Sequence, residues 1–205
     1  TEVSSFPGIA KVQGKTVAIG VGSRGINHLQ VIVKALVSSL KEAGASVFIV
    51  PSMGSPGGAI AENQTLILAH LGIDEEHVGA PVRSSMETTV IGHTEDGVPV
   101  HMDSIACTAD YTVTVARIKP HSSFRGRYES GMVKMCVIGL GKQHGADYCH
   151  LRGMANMGMN LEKIGKVFRD KSNLLFSLGL IENSYDEPCW LKVVAKEDIM
   201  EQEPK

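Results

Sequence analysis

The strongest constraint on this chain is a rhythm near its start. Thr16 to Val21 (TVAIGV) is an apolar run of strand length that ends in Gly22-Ser23-Arg24-Gly25. Leu29, Ile32, Val33, Leu36, Val37 and Leu40 then recur at helical spacing, with Gly44 where a helix C-cap belongs. A second buried run, SVFIVP, comes next, then the glycine-rich SMGSPGG and another helical pattern through Glu62, Leu66, Ile67 and Leu71. Parallel strands need a long crossover connection, and a helix is the usual one. The alternation therefore predicts an α/β, Rossmann-like domain: an open, mostly parallel sheet with helices on both faces and right-handed crossovers.

The rhythm breaks at METTVIGHTEDGVPVHMD, where two strand-like runs surround a turn at Asp96-Gly97. This reads as a small hairpin, an insertion or a sheet edge. DYTVTVARI, Asp110 to Ile118, returns to a buried strand. Asn160 to Asp170 is an amphipathic helix, and NLLFSLGLIEN and CWLKVVA are strands. The whole chain, 1–205, is expected to be a single α/β domain. Because it opens on Thr1 and closes on the polar KEDIMEQEPK, it is also expected to be a processed or excised piece of something longer.

A formal net charge of -2 provides no broad attraction to nucleic acid or to an anionic membrane. No apolar run reaches the roughly 20 residues that span a bilayer, and the start lacks a signal-peptide layout. The expectation is a cytoplasmic protein, with room for homo-oligomerisation. Cys107, Cys136, Cys149 and Cys189 form no CxxC pair, which suits reduced thiols acting as small buried hydrophobes.

In parallel α/β sheets ligands sit beyond the carboxyl ends of the strands. That rule selects three loops: Gly22 to Gly25, Ser52 to Gly58, and the loop that begins at Lys119-Pro120-His121. Ser23, Arg24 and Gly25 combine a hydroxyl, a guanidinium and a permissive backbone ahead of a helix N-terminus, a combination that suits a phosphate or carboxylate. A tight turn with a solvated arginine reads equally well. The third loop opens a segment dense in cations and imidazoles: Arg117, Lys119, His121, Arg125, Arg127, Lys134, Lys142, His144 and His150. A phosphate-loop reading of GLGKQHG fails, because that spacing requires Gly at Cys136 and Ser or Thr at Gln143.

MGSPGGAIAENQ, LGIDEEHVGAPVRSSM, RIKPH, ESGMVKM and IGLGKQHGADYCH, in this order, resemble the amino-terminal lobe of the nickel-dependent lactate racemase family over about Val17 to His150. The resemblance implies a racemase or epimerase, an isomerase acting on a 2-hydroxy acid or related polyol acid. It implies a nickel-pincer nucleotide joined covalently to Lys134, and a metal-binding histidine sixteen residues later, at His150. Ser23, Arg24 and Gly25 would lie near the cofactor phosphate. His121 would be a catalytic acid/base, and a C-terminal lobe of the same full-length protein, absent from this chain, would complete the cleft. Arg125, Arg127, Lys142 and His144 are either substrate-carboxylate ligands or solvated loop charges.

The sequence also departs from that pattern. Pro56 stands where the family's second acid/base histidine is expected, and proline transfers no proton. The stretch from His121 to Lys134 is longer than the racemase pattern, and its Gly-Gly-Arg-Lys element reads Gly131-Met132-Val133-Lys134. These departures keep open a non-catalytic nucleotide-, phosphate- or metal-binding α/β domain.

Overall fold

The computed structural model describes residues 2–150 and 153–204; Thr1, on which part of the excised-piece expectation rests, lies outside them. Among the described residues, seven strands and eight α-helical segments run in chain order: β1 (Thr16–Val21), α1 (Leu29–Glu42), β2 (Ser46–Pro51), α2 (Ala61–His70), α3 (Glu75–Val78), β3 (Thr88–His93), β4 (Pro99–Asp103), α4 (Ser104–Cys107), β5 (Tyr111–Arg117), α5 (Met132–Lys134), α6 (Lys142–His150), α7 (Met157–Lys171), β6 (Leu174–Glu182), β7 (Pro188–Ala195) and α8 (Ile199–Gln202). A π-helical run, Met135–Leu140, continues α5 without a break.

The main sheet has the order β2-β1-β5-β6-β7, parallel except for the antiparallel edge strand β7. The expected hairpin forms a separate two-stranded sheet from β3 and β4. The alternation of side chains along a strand sorts the core into two clusters. Val17, Ile19 and Val21 of β1 and Val47 and Ile49 of β2 pack with Leu29, Val33, Leu36, Val37 and Leu40 of α1. Ala18, Phe48 and Val50 point the other way, into a cluster with Met132, Val133, Val137 and Leu140, and with Leu161, Ile164 and Phe168 of α7. Helices therefore cover both faces, as the sequence predicts.

Two expectations need correction, and one element goes beyond them. Helix α2 forms, but it buries Gln64 and Leu68 and leaves Leu66 exposed, because the Gln64 amide turns inward to bond the preceding loop. Cys189 is exposed on the edge strand, whereas Cys136 and Cys149 are buried and Cys107 partly so. The polar C-terminal stretch is also a packed element: Ile199, Met200 and Glu203 are buried, and the Tyr128 hydroxyl donates to Met200 O at 2.5 Å. Among the described residues, no helix is long and apolar enough to cross a membrane.

Candidate active site

Strand β1 pairs with β2 on one side and with β5 on the other, so the chain changes direction across the sheet between β1 and β5. A crevice opens at such a switch point, because the loops leaving the two strands turn toward opposite faces. All three loops selected from the sequence meet there. They enclose a cleft of about 560 Å³, within the usual range for a small-molecule site, lined by Ser23, Arg24, Pro56, His121, Lys134 and His150 among others.

Each wall is fixed by contacts that the sequence does not announce. Glu182, at the end of β6, accepts from Asn27 N at 2.8 Å and pairs with Arg117, tying the first loop to the ends of β5 and β6. Burial opposes ionisation of Glu182, yet the Arg117 guanidinium and the Asn27 amide hold its carboxyl below the usual range. In the second loop Gln64 Nε2 donates to Gly54 O at 2.9 Å and to Pro56 O at 3.0 Å, and Asn63 Nδ2 donates to Gly57 O at 2.9 Å. In the third loop the Glu129 carboxylate accepts from His121 N at 2.7 Å and from Gly126 N at 3.2 Å.

The floor is the π-helical run. It approaches the second loop so closely that a Cβ on Gly139 would lie 2.8 Å from Ser52 O. Lys134 leads into this run and is half-buried in the cleft. Burial first, and then the Arg24 and Lys119 charges, hold its amine below the ordinary lysine value. The Cys149 thiol is pushed up to about 12 by burial, which keeps it neutral. Ser52 Oγ, buried at the cleft wall, has no hydrogen-bond partner among the described residues.

His121 is a neutral imidazole at pH 7, because burial first and then the nearby Lys134 charge lower its pKa, while Glu129 opposes. Ser123 N donates to His121 Nδ1 at 3.1 Å, so the proton of the neutral ring is on Nε2. The ring therefore presents Nε2–H to the cleft as a hydrogen-bond donor, and it must give up the Ser123 bond, moving its proton to Nδ1, before Nε2 can act as a base.

The structure brings Ser23, Arg24, His121, Lys134 and His150 together and leaves Gly25 outside the lining. Helix α1 does not start directly after Gly25. An Ile26-Asn27-His28 turn intervenes, and His28 adopts a left-handed conformation with φ 60°. The four other basic candidates are absent from the lining as well. Arg125 pairs with Glu129, and Arg127 stacks over the Tyr128 ring at 5.5 Å. His144 stacks on His101 with ring centroids 4.9 Å apart. Lys142 is neither a substrate ligand nor solvated: it is fully buried, 2.7 Å from the equally buried Asp103 carboxylate. The cations that do line the cleft are Arg24, Arg117, Lys119 and Lys134; among the described residues, only Arg117 of these is in an ion pair.

Such a cleft suits an anionic ligand, held at one rim of a doubly wound α/β domain. The fold has a solved counterpart. The lactate racemase apoprotein from Thermoanaerobacterium thermosaccharolyticum superposes with a TM-score of 0.66 and 17% sequence identity, over 92% of this chain and 48% of that one. At that identity the likeness is one of fold, and this chain spans about half the length of the racemase. No protein-family model and no curated protein matches the sequence.

Proposed function

We propose that this domain is the cofactor-carrying lobe of a lactate racemase-like isomerase, a racemase or epimerase of a 2-hydroxy acid or related polyol acid. The observation that carries the reading is the convergence of Lys134, His121 and His150 with the unpaired cations Arg24 and Lys119 in one cleft. The residues fit a nickel-pincer nucleotide. Lys134 is a half-buried amine with a lowered pKa, suited to forming an amide-type bond. Arg24, Ser23 and Lys119 offer donors to a phosphate. His150 offers an imidazole suited to nickel. Among the described residues no group of three His, Cys, Asp or Glu side chains could hold a metal, so a metal at His150 would take its other ligands from the cofactor.

When bound, the cofactor would supply a hydride acceptor and donor. The chain's own residues do the remainder. Arg24, Ser23 and Lys119 hold and orient the phosphate, and His121 Nε2 exchanges a proton with the substrate oxygen. The π-helical floor and the second loop restrict water on the other side. A second lobe of the full-length protein would close the cleft, and homo-oligomerisation is compatible with this arrangement.

Pro56 favours a second reading, a nucleotide- or phosphate-binding domain without hydride chemistry. It lines the cleft, and the second loop contributes only Ser52, Met53, Ser55 and Pro56, none of which titrates near neutrality. Intact mass and nickel content after coexpression with the pincer-cofactor biosynthetic enzymes separate the two. The parent chain should carry a covalent adduct. Lys134→Ala should abolish it, and His150→Ala should keep the adduct but bind nickel more weakly. An adduct that survives Lys134→Ala would sink the assignment.

A further inference from the structure

A buried carboxylate lies directly behind the site. Glu203, from the turn after α8, accepts a hydrogen bond from Val133 N at 2.8 Å. Its other oxygen lies against Gly131, where a Cβ would come within 2.6 Å of Oε1. Gly131 itself lines the cleft, so its backbone separates the carboxylate from the ligand space. Lys134 comes one residue after Val133, in the first turn of the continuous helix that forms the floor.

We propose that Glu203 is a positioning residue for Lys134: its carboxylate clamps the first turn of the floor helix and fixes the direction in which the lysine enters the cleft. The proposal rests on the reading of Lys134 as the cofactor-bearing amine, and it adds a link between the C-terminal segment and that amine. The segment is anchored for this purpose. Ile199 and Met200 are buried beside the helix, and Tyr128 OH bonds Met200 O. No charge balances Glu203 among the described residues. Burial makes both the Tyr128 hydroxyl and the Cys136 thiol harder to ionise, and the Glu203 charge adds to this in each, after Glu162 in the case of Tyr128. Burial pushes Glu203 up to about 7, against the opposing pull of the Val133 and Met132 amides. Ionised, it grips Val133 N–H by a charge-assisted bond; protonated, it grips more weakly.

The test is competitive acylation of the full chain with acetic anhydride between pH 6 and 9. Peptide mass spectrometry reads the ratio of labelling at Lys134 to that at Lys119, which lies in the same cleft but off this helix. Hydrogen exchange of the Val133 amide is measured in parallel. In the parent the ratio should shift near pH 7, beyond the amines' own titration. Glu203→Gln should change the ratio about fivefold, remove that shift, and accelerate Val133 exchange about tenfold, the loss expected for one charge-assisted bond. A ratio equal in parent and variant at every pH would overturn the proposal. Should that variant fail to fold, Glu203→Asp, which keeps the charge but shortens the reach, serves instead, and a labelling ratio and Val133 exchange rate equal to the parent's would overturn the proposal equally. Neither readout requires the cofactor. Absence of the covalent adduct, with the Glu203 effect intact, would refute the functional reading and leave the clamp standing.

Discussion

Replacing Lys142 with methionine should destabilise the fold by about 3–5 kcal/mol, the usual cost of removing one partner from a buried ion pair. Lys142 and Asp103 both have fully buried side chains, and Nζ lies 2.7 Å from the carboxylate. Nζ also donates to Pro51 O at 2.5 Å, at the end of β2. Without the lysine, Asp103 Oδ1 would keep only its bond from Ala106 N at 2.9 Å, and Oδ2 would face a dry interior with no compensating charge. Burial already pulls the Lys142 pKa down against the attraction of Asp103, so the pair gains little over a neutral packing of the same volume. Lys142→Met combined with Asp103→Leu should therefore recover most of the loss. In urea denaturation of the parent, both single variants and the double, the cycle should give a coupling of about 2 kcal/mol or more. In thermal melts the lysine variant should lose about 10 °C for a domain of this size. A single variant that costs under about 1 kcal/mol, or an additive double variant, would refute the reasoning.

Arg24→Ala should weaken binding of inorganic phosphate or a nucleotide by about 1.5–3 kcal/mol while leaving the fold intact, and calorimetric titration of both proteins checks it. Glu203 sets a pH dependence of known sign. Its folded pKa, about 7, is raised from an ordinary value of 4.5, so its contribution is complete below about pH 4.5 and is lost as pH rises through 7. Stability should fall by up to about 3 kcal/mol from that group between pH 5 and 8.5 in urea melts, and Glu203→Gln should flatten this component. Gly141→Ala would put a methyl 2.0 Å from Val137 O, and the resulting overpacking should cost about 3 kcal/mol or more, visible as a lowered melting temperature.

The strands were legible because local pattern and final burial agree. In β1 every residue after Thr16 is buried, and the apolar run has the same bounds as the strand. The meeting of the three loops was legible from the same pattern, since strand ends of a parallel sheet share a rim. What escaped depends on partners distant in sequence. Lys142 looks like a surface lysine until Asp103 is seen beside it, and Glu203 looks like part of a solvated tail until the fold brings it to Val133. Gln64 escaped because a polar residue in a helical pattern suggests the solvent face, whereas here its amide holds the second loop. The π-helical run has no periodicity to distinguish it from the end of an α-helix. One cue was present in the sequence: Gly139, Gly141 and Gly145 crowd into seven residues that nonetheless stay helical or nearly so, which marks close backbone approach.

That crowding has a mechanical consequence. A Cβ on Gly141 or Gly145 would lie 2.0 or 2.2 Å from the same carbonyl, Val137 O, so the first turn of α6 rests on the preceding run backbone against backbone. The contact is a fulcrum, and the Lys142–Asp103 pair bolts it down. His150 is at the far end of the helix, about 12 Å away at a rise of 1.5 Å per residue. A tilt of about 5° at the fulcrum would swing the imidazole by about 1 Å, a displacement on the scale that can cost about a hundredfold in rate when reacting groups must meet. In the proposed site, the direction in which the His150 imidazole enters the cleft would therefore be governed from the opposite end of the helix, by residues outside the cleft lining.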